Sequence, residues 1–150
     1  MRKNFVTLCA VFFIGMSLVQ HAHSKRRVAA KGCSGWRPDS QYNLLISTET
    51  VETVSGEIIR IGTFMPYRGM AYGVYFLLQT KKGAENIHVG PGWYIENQDI
   101  MLEKGDKVSV RGSRIKFKKE SAIAAFEIRR AKQTLRLRDR RGYPYWYAWR

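Results

Sequence analysis

From residue 51 onward, apolar and polar residues alternate with a period of two along much of the chain, and this pattern predicts strands. In "GMAYGVYFLLQT" (69–80), Val74, Phe76 and Leu78 oppose Tyr75, Leu77 and Gln79. In "GDKVSVRGSRIKF" (105–117), Val108 and Val110 face inward, and Lys107, Ser109 and Arg111 outward. "SAIAAFEIRRA" (121–131) sets Ala124, Phe126 and Ile128 on one face, and "TLRLRD" (134–139) sets Leu135 and Leu137 against Arg136 and Arg138. Two further runs complete the set. "VETVSGEIIRIGTF" (51–64) is rich in β-branched residues, with a bulge expected at Gly56. "AENIHV" (84–89) is a short strand expected to turn Asn86 and His88 outward, away from Ile87 and Val89. The "KKG" before it is a hairpin turn with Gly83 available for positive φ.

No segment sustains a helical period. Only "GPGWYIENQDIMLEKGD" (90–106) has room for a short helix, ended by Gly105. The layout predicts an all-β domain over residues 48–142. Its expected form is a five- to six-stranded OB-fold-like Greek-key barrel with a short helix between strands three and four. Gly90, Pro91 and Gly92 then form the corner leaving strand three, and Trp93 and Tyr94 plug one barrel end. His88 is the one histidine beyond residue 24, and alone it cannot make a metal site, which needs three or four ligands.

The first residues speak to compartment. Arg2 and Lys3 precede an uncharged apolar run of 15 residues, and "AHS" sets Ala22 and Ser24 at the positions of a small-residue cleavage site. This is the grammar of a secretory signal peptide over residues 1–24, and it implies a periplasmic or secreted protein. The run is short beside the roughly 20 apolar residues of a membrane-spanning helix. Lys25, Arg26 and Arg27 follow at once and resist export. A single N-terminal membrane anchor is therefore the alternative, with membrane contact if the segment is retained. Residues 25–41 mix charge, Gly and Pro without a period and read as a linker or weakly docked arm, within a basic leader or linker over residues 25–47. Cys9 lies in the signal, so Cys33 has no partner for an intramolecular disulfide, and there is no CxxCH motif for haem.

Charge is unevenly spread. Residues 25–110 hold 11 basic and 9 acidic residues, whereas residues 111–150 hold 13 basic and 3 acidic. A uniform solubilising surface would not look like this. The last 40 residues form a basic stripe or tail that attracts anions over about a Debye length.

The chemistry of an enzyme is hard to find. A single histidine gives no Ser-His-Asp arrangement, and Cys33 has no evident base. Asp99, Glu103 and Asp106 read as a helix-end and turn cluster rather than an acid/base pair, and no glycine-rich phosphate loop precedes a helix. No catalytic residue, metal or cofactor is expected.

"VSGEIIRI", "YFLLQT", "IHVGPGWYI", "EKGDKVSVRGSRI", "AIAAFEIRR" and "TLRLRDRRGYPYW" together resemble small exported bacterial OB-fold proteins. The shared pattern is a glycine-proline-tryptophan corner, a G-D-x-V-x-V-x-G-S strand and a closing L-R-x-x-x-G-x-P-x-W. It covers residues 51–146, and a weaker resemblance extends to magnetosome protein S. The resemblance implies a non-enzymatic protein and brings no catalytic residues. This chain is more basic than the pattern requires, and its "YPYWYAWR" ending is more aromatic.

OB barrels commonly bind ligands across strands two and three, between the loop after strand one and the turn joining strands four and five. Those parts supply Tyr67, Arg68, Tyr72, Tyr75 and His88, with Lys116, Lys118 and Lys119 on the turn. At the C-terminus, Arg138, Arg140 and Arg141 precede Tyr145, Trp146 and Trp149. The aromatic tail, residues 143–150, either folds back over the barrel or anchors a partner with the arginines steering approach. The reading that results is an exported binding module docking an acidic protein or an anionic envelope surface or polymer. One alternative is a magnetosome-associated protein acting in magnetite crystal assembly. Another is single-stranded oligonucleotide binding, suggested by aromatics among cations but disfavoured by export.

Overall fold

Strand β1 (Val51–Phe64) is long enough to serve two partners, and this is what lets the sheet close. Its first half, Val51 to Glu57, pairs with β4 (Lys107–Phe117), and its second half, Glu57 to Phe64, pairs with β2 (Gly73–Thr80). The computed structural model describes residues 35–148. Between the two halves the register shifts around Ile59, not at Gly56 as the sequence suggested. Gly56 answers a different need. A Cβ there would lie 2.1 Å from the Gln79 carbonyl oxygen, so only a glycine lets the two backbones approach so closely.

β2 turns back into β3 (Gly83–Pro91) through Lys81 and Lys82, with Gly83 at φ +130° as the hairpin requires. β4 and β5 (Glu120–Arg130) form the second long hairpin. β3 then lies parallel to β5 at Ile87 and His88, opposite Ile123 and Ala124, closing the ring β1-β2-β3-β5-β4. β6 (Gln133–Arg136) extends β5 and is the end strand of the sheet. The expected all-β, barrel-like closed sheet is therefore present, with α1 (Gly92–Ile95) between β3 and β4.

The alternation read from the sequence points where the strands need it. Ile58, Phe76, Leu78, Val108, Val110 and Ile128 are all buried in one core. Tyr94 from α1 is buried against it, as a plug should be.

The N-terminal end of the described chain departs from expectation, and the C-terminal end takes the first of its two expected courses, folding back over the barrel. Residues 35–47 were expected to be linker, yet Trp36 and Tyr42 are fully buried core side chains. The Trp36 indole donates to the Ala71 carbonyl at 2.9 Å. At the other end, α2 (Tyr145–Ala148) buries Trp146 completely, and its indole donates to the Trp36 carbonyl at 2.9 Å. The two rings meet edge-on, 5.9 Å between centroids. Each element is too short to stand alone, and aromatic burial with these bonds holds the pair. The tail is docked. Residues 1–24, expected to be a signal peptide, and Cys33 and Trp149 lie outside the described residues.

Candidate functional site

The loop after β1 and the turn between β4 and β5 meet. Lys118 Nζ donates to the Met65 carbonyl at 3.0 Å, and Tyr67 packs edge-on against Phe117. Lys118 and Lys119 hold the turn with φ of +47° and +74°. Arg68, Lys118 and Lys119 are exposed on these loops, and Lys116 is exposed near the end of β4. Tyr72 is partly exposed and donates to the Glu96 carboxylate, while Tyr75 sits half-buried against Phe64.

His88 is not part of that surface. It is 3% exposed, stacked on Phe64 with 4.2 Å between centroids and covered edge-on by Phe117. Its Nδ1 shares a 3.0 Å hydrogen bond with the buried Tyr42 hydroxyl. Burial lowers the imidazole from 6.5 to about 4, so the ring is neutral at physiological pH. The strand pattern sent His88 to the outer face correctly, but Tyr42, Phe64 and Phe117 cover that face. His88 is thus a core residue, not a ligand contact.

A second cluster of cations lies elsewhere, on the outer face of β4, β5 and β6. Register puts Arg111 opposite Glu127, and Glu127 opposite Arg136, so three strands contribute to one row. Arg129, two residues along β5 from Glu127, projects on the same face. β6 then runs into a turn at Asp139, whose Oδ1 accepts from the amides of Arg141 (2.8 Å) and Tyr143 (2.9 Å). Gly142 adopts φ +84° in this turn, and a Cβ there would press within 3.1 Å of Ile46. The chain is returned so that Pro144 pairs with Arg138.

The result is a groove of about 470 Å³ lined by Arg111, Arg129, Arg136, Arg138, Arg140, Tyr145 and the two acids Glu127 and Asp139. Glu127 accepts from Arg129 Nε at 2.6 Å. Asp139 holds the turn through the amide bonds just described. Among the described residues, Arg111, Arg136, Arg138 and Arg140 have no carboxylate within ion-pair distance.

Arg138 differs from the others. The sequence placed it outward for a partner, but it is 5% exposed, with its guanidinium 4.5 Å from the Trp146 ring centroid. Nη1 donates to the Gly142 carbonyl over a long 3.4 Å, and Nε is buried with no acceptor. Burial lowers its pKa to about 10, leaving it cationic at neutral pH. Trp146 was also expected to face a partner and is instead the floor beneath this guanidinium. Arg140, Arg141 and Tyr145 are exposed. Arg111, Arg129 and Arg136 were missed as site residues. The charge excess after residue 110 pointed to them, but only cross-strand register brings them together.

Among the described residues, no group of three or more His, Cys, Asp or Glu could hold a metal ion, and no helix is long and apolar enough to cross a membrane. No curated protein matches the chain. Among solved structures, the crystal structure of the ZRD-deleted mutant of TiaS in complex with agmatine is similar at 24% identity and a TM-score of 0.39. That similarity covers 59% of this chain and 24% of the other, so the chain spans about a quarter of that structure's length. Residues 50–135 match the MamS/MamX magnetosome protein family, more than half of the chain, and the protein belongs to that family.

Proposed function

We propose that this protein is a non-enzymatic, exported binding module that serves magnetosome mineral assembly by docking an anionic component through its basic C-terminal face. One observation carries the reading. Four arginines share a groove without carboxylate partners, on a face built by β4, β5, β6 and the docked tail. Guanidinium groups are weakly hydrated forks suited to carboxylate or phosphate oxygens, and a cluster of them steers anions toward the groove. Family membership supports the magnetosome as the setting, and the signal-like segment at residues 1–24 supports export.

The test is co-sedimentation of the purified full chain with isolated magnetosomes at low and high salt. Binding should fall with salt and be lost in the Arg136→Glu/Arg140→Glu double variant, whose exposed positions leave the core untouched. Salt-independent binding, or equal binding by the double variant, would contradict the proposal.

A further inference from the structure

The groove's chemistry is incomplete at Arg138. A buried guanidinium ordinarily has its charge balanced by a carboxylate and its donors filled, because an uncompensated buried charge is costly. In the free protein Arg138 has neither. Its Nε is the only charged group among the buried side-chain atoms left without a partner in the described residues. The aromatic face of Trp146 and one long bond to a carbonyl are its compensation. The two acids in the groove are committed to Arg129 and to the Asp139 turn.

A second feature adjoins it. β6 is the end strand, pairing with β5 and with no other strand among the described residues. Its outer edge can offer backbone donors and acceptors to an added strand. This open edge ends at Arg136, beyond it the returning tail pairs with the chain at Leu137 and Arg138, and Arg138 and Arg140 line the groove where the edge stops.

We infer that the groove receives an extended acidic peptide segment laid beside β6, with one Asp or Glu carboxylate closing the open shell of Arg138. This inference rests on the docking role proposed above and names its partner chemistry. A planar carboxylate matches the guanidinium fork, and further carboxylates of the same segment meet Arg111, Arg136 and Arg140. Nucleic acid fits less well. Bases need exposed aromatic platforms, and the indole at the groove is fully buried beneath Arg138, leaving Tyr145 as the exposed ring.

The test is a titration of fluorescein-labelled hexaglutamate into the full chain, read by anisotropy, with hexathymidylate DNA and inorganic phosphate as competitors. The peptide should bind in a salt-sensitive manner and lose at least about tenfold in affinity in Arg138→Met, a tenfold change being 1.4 kcal/mol. A melting curve reports whether that variant folds. If it does not, the exposed Arg136→Gln/Arg140→Gln pair carries the test and should show a comparable loss. Equal affinity in wild type and folded variants would overturn the inference. So would displacement of the peptide by DNA or phosphate at a lower concentration of charge. Failure here with magnetosome co-sedimentation intact removes the peptide site and leaves the docking role. Hexaglutamate capture through Arg138 without co-sedimentation does the reverse.

Discussion

His88 and Arg138 are almost equally buried, at 3% and 5% exposure, and each lies against aromatic rings, yet the fold treats them in opposite ways. Imidazole can shed its proton, and burial at His88 brings this about. The neutral ring needs one good hydrogen bond, and Tyr42 supplies it. A guanidinium cannot discharge near neutral pH, so Arg138 keeps its charge without an ion-pair partner. One region of the molecule resolves its buried polarity internally. The other leaves it for an anion to complete. The satisfied group belongs to the core, and the open one lies at the groove.

The comparison is broken most severely at the support of Arg138. Trp146 contacts Trp36, Tyr94 and Arg138, so Trp146→Ala should cost about 3–5 kcal/mol by loss of packing and of its indole bond. Urea denaturation monitored by far-UV dichroism checks this. An effect below about 1 kcal/mol would mean that the tail is not docked.

The His88 side is sharpened by pH. An unfolded imidazole titrates near 6.5 and the folded one near 4, so between these values the unfolded chain binds the extra proton. Stability from this group is complete above about pH 6.5, declines as pH falls toward 4, and changes no further below that. The window corresponds to about 3 kcal/mol. His88→Gln should flatten that slope in denaturation curves taken across the window.

A smaller effect is expected when the charge at Arg138 is removed. Arg138→Met exchanges an uncompensated buried guanidinium for an apolar side chain of similar reach. The melting temperature should hold or rise, corresponding to no more than about 1–2 kcal/mol in favour of folding. A clear fall would mean that the free protein already compensates the charge. Least of all, Arg136→Gln on the exposed row should stay within about 0.5 kcal/mol of wild type in the same assay.

The two regions also differ in how far the sequence discloses them. Val108 and Val110 alternate with Lys107 and Ser109, and Gly83 follows two lysines, so strands and hairpin are written locally. Ile87, His88 and Val89 are consecutive and all buried, which a period of two cannot announce. His88 is covered by Tyr42, 46 residues earlier, and by Phe117 on another strand. Trp36 looked like part of a linker because its partner, Trp146, is 110 residues away. The basic excess after residue 110 was visible as charge. The groove was not, since it depends on the registers joining Arg111, Glu127 and Arg136 and on the turn at Asp139 that buries Arg138.

The central claim is that the Arg138 guanidinium is open in the free protein and is closed by an anion. Arginine side-chain NMR tests it most directly, with the full chain ¹⁵N-labelled, the Arg138 Nε–H signal assigned by its absence in Arg138→Met, and unlabelled hexaglutamate titrated in. The account predicts a free-state signal typical of a donor without an acceptor, shifting with the peptide as a carboxylate meets the guanidinium. A signal already at the hydrogen-bonded position, or one that stays fixed while Arg136 and Arg140 shift, would contradict it.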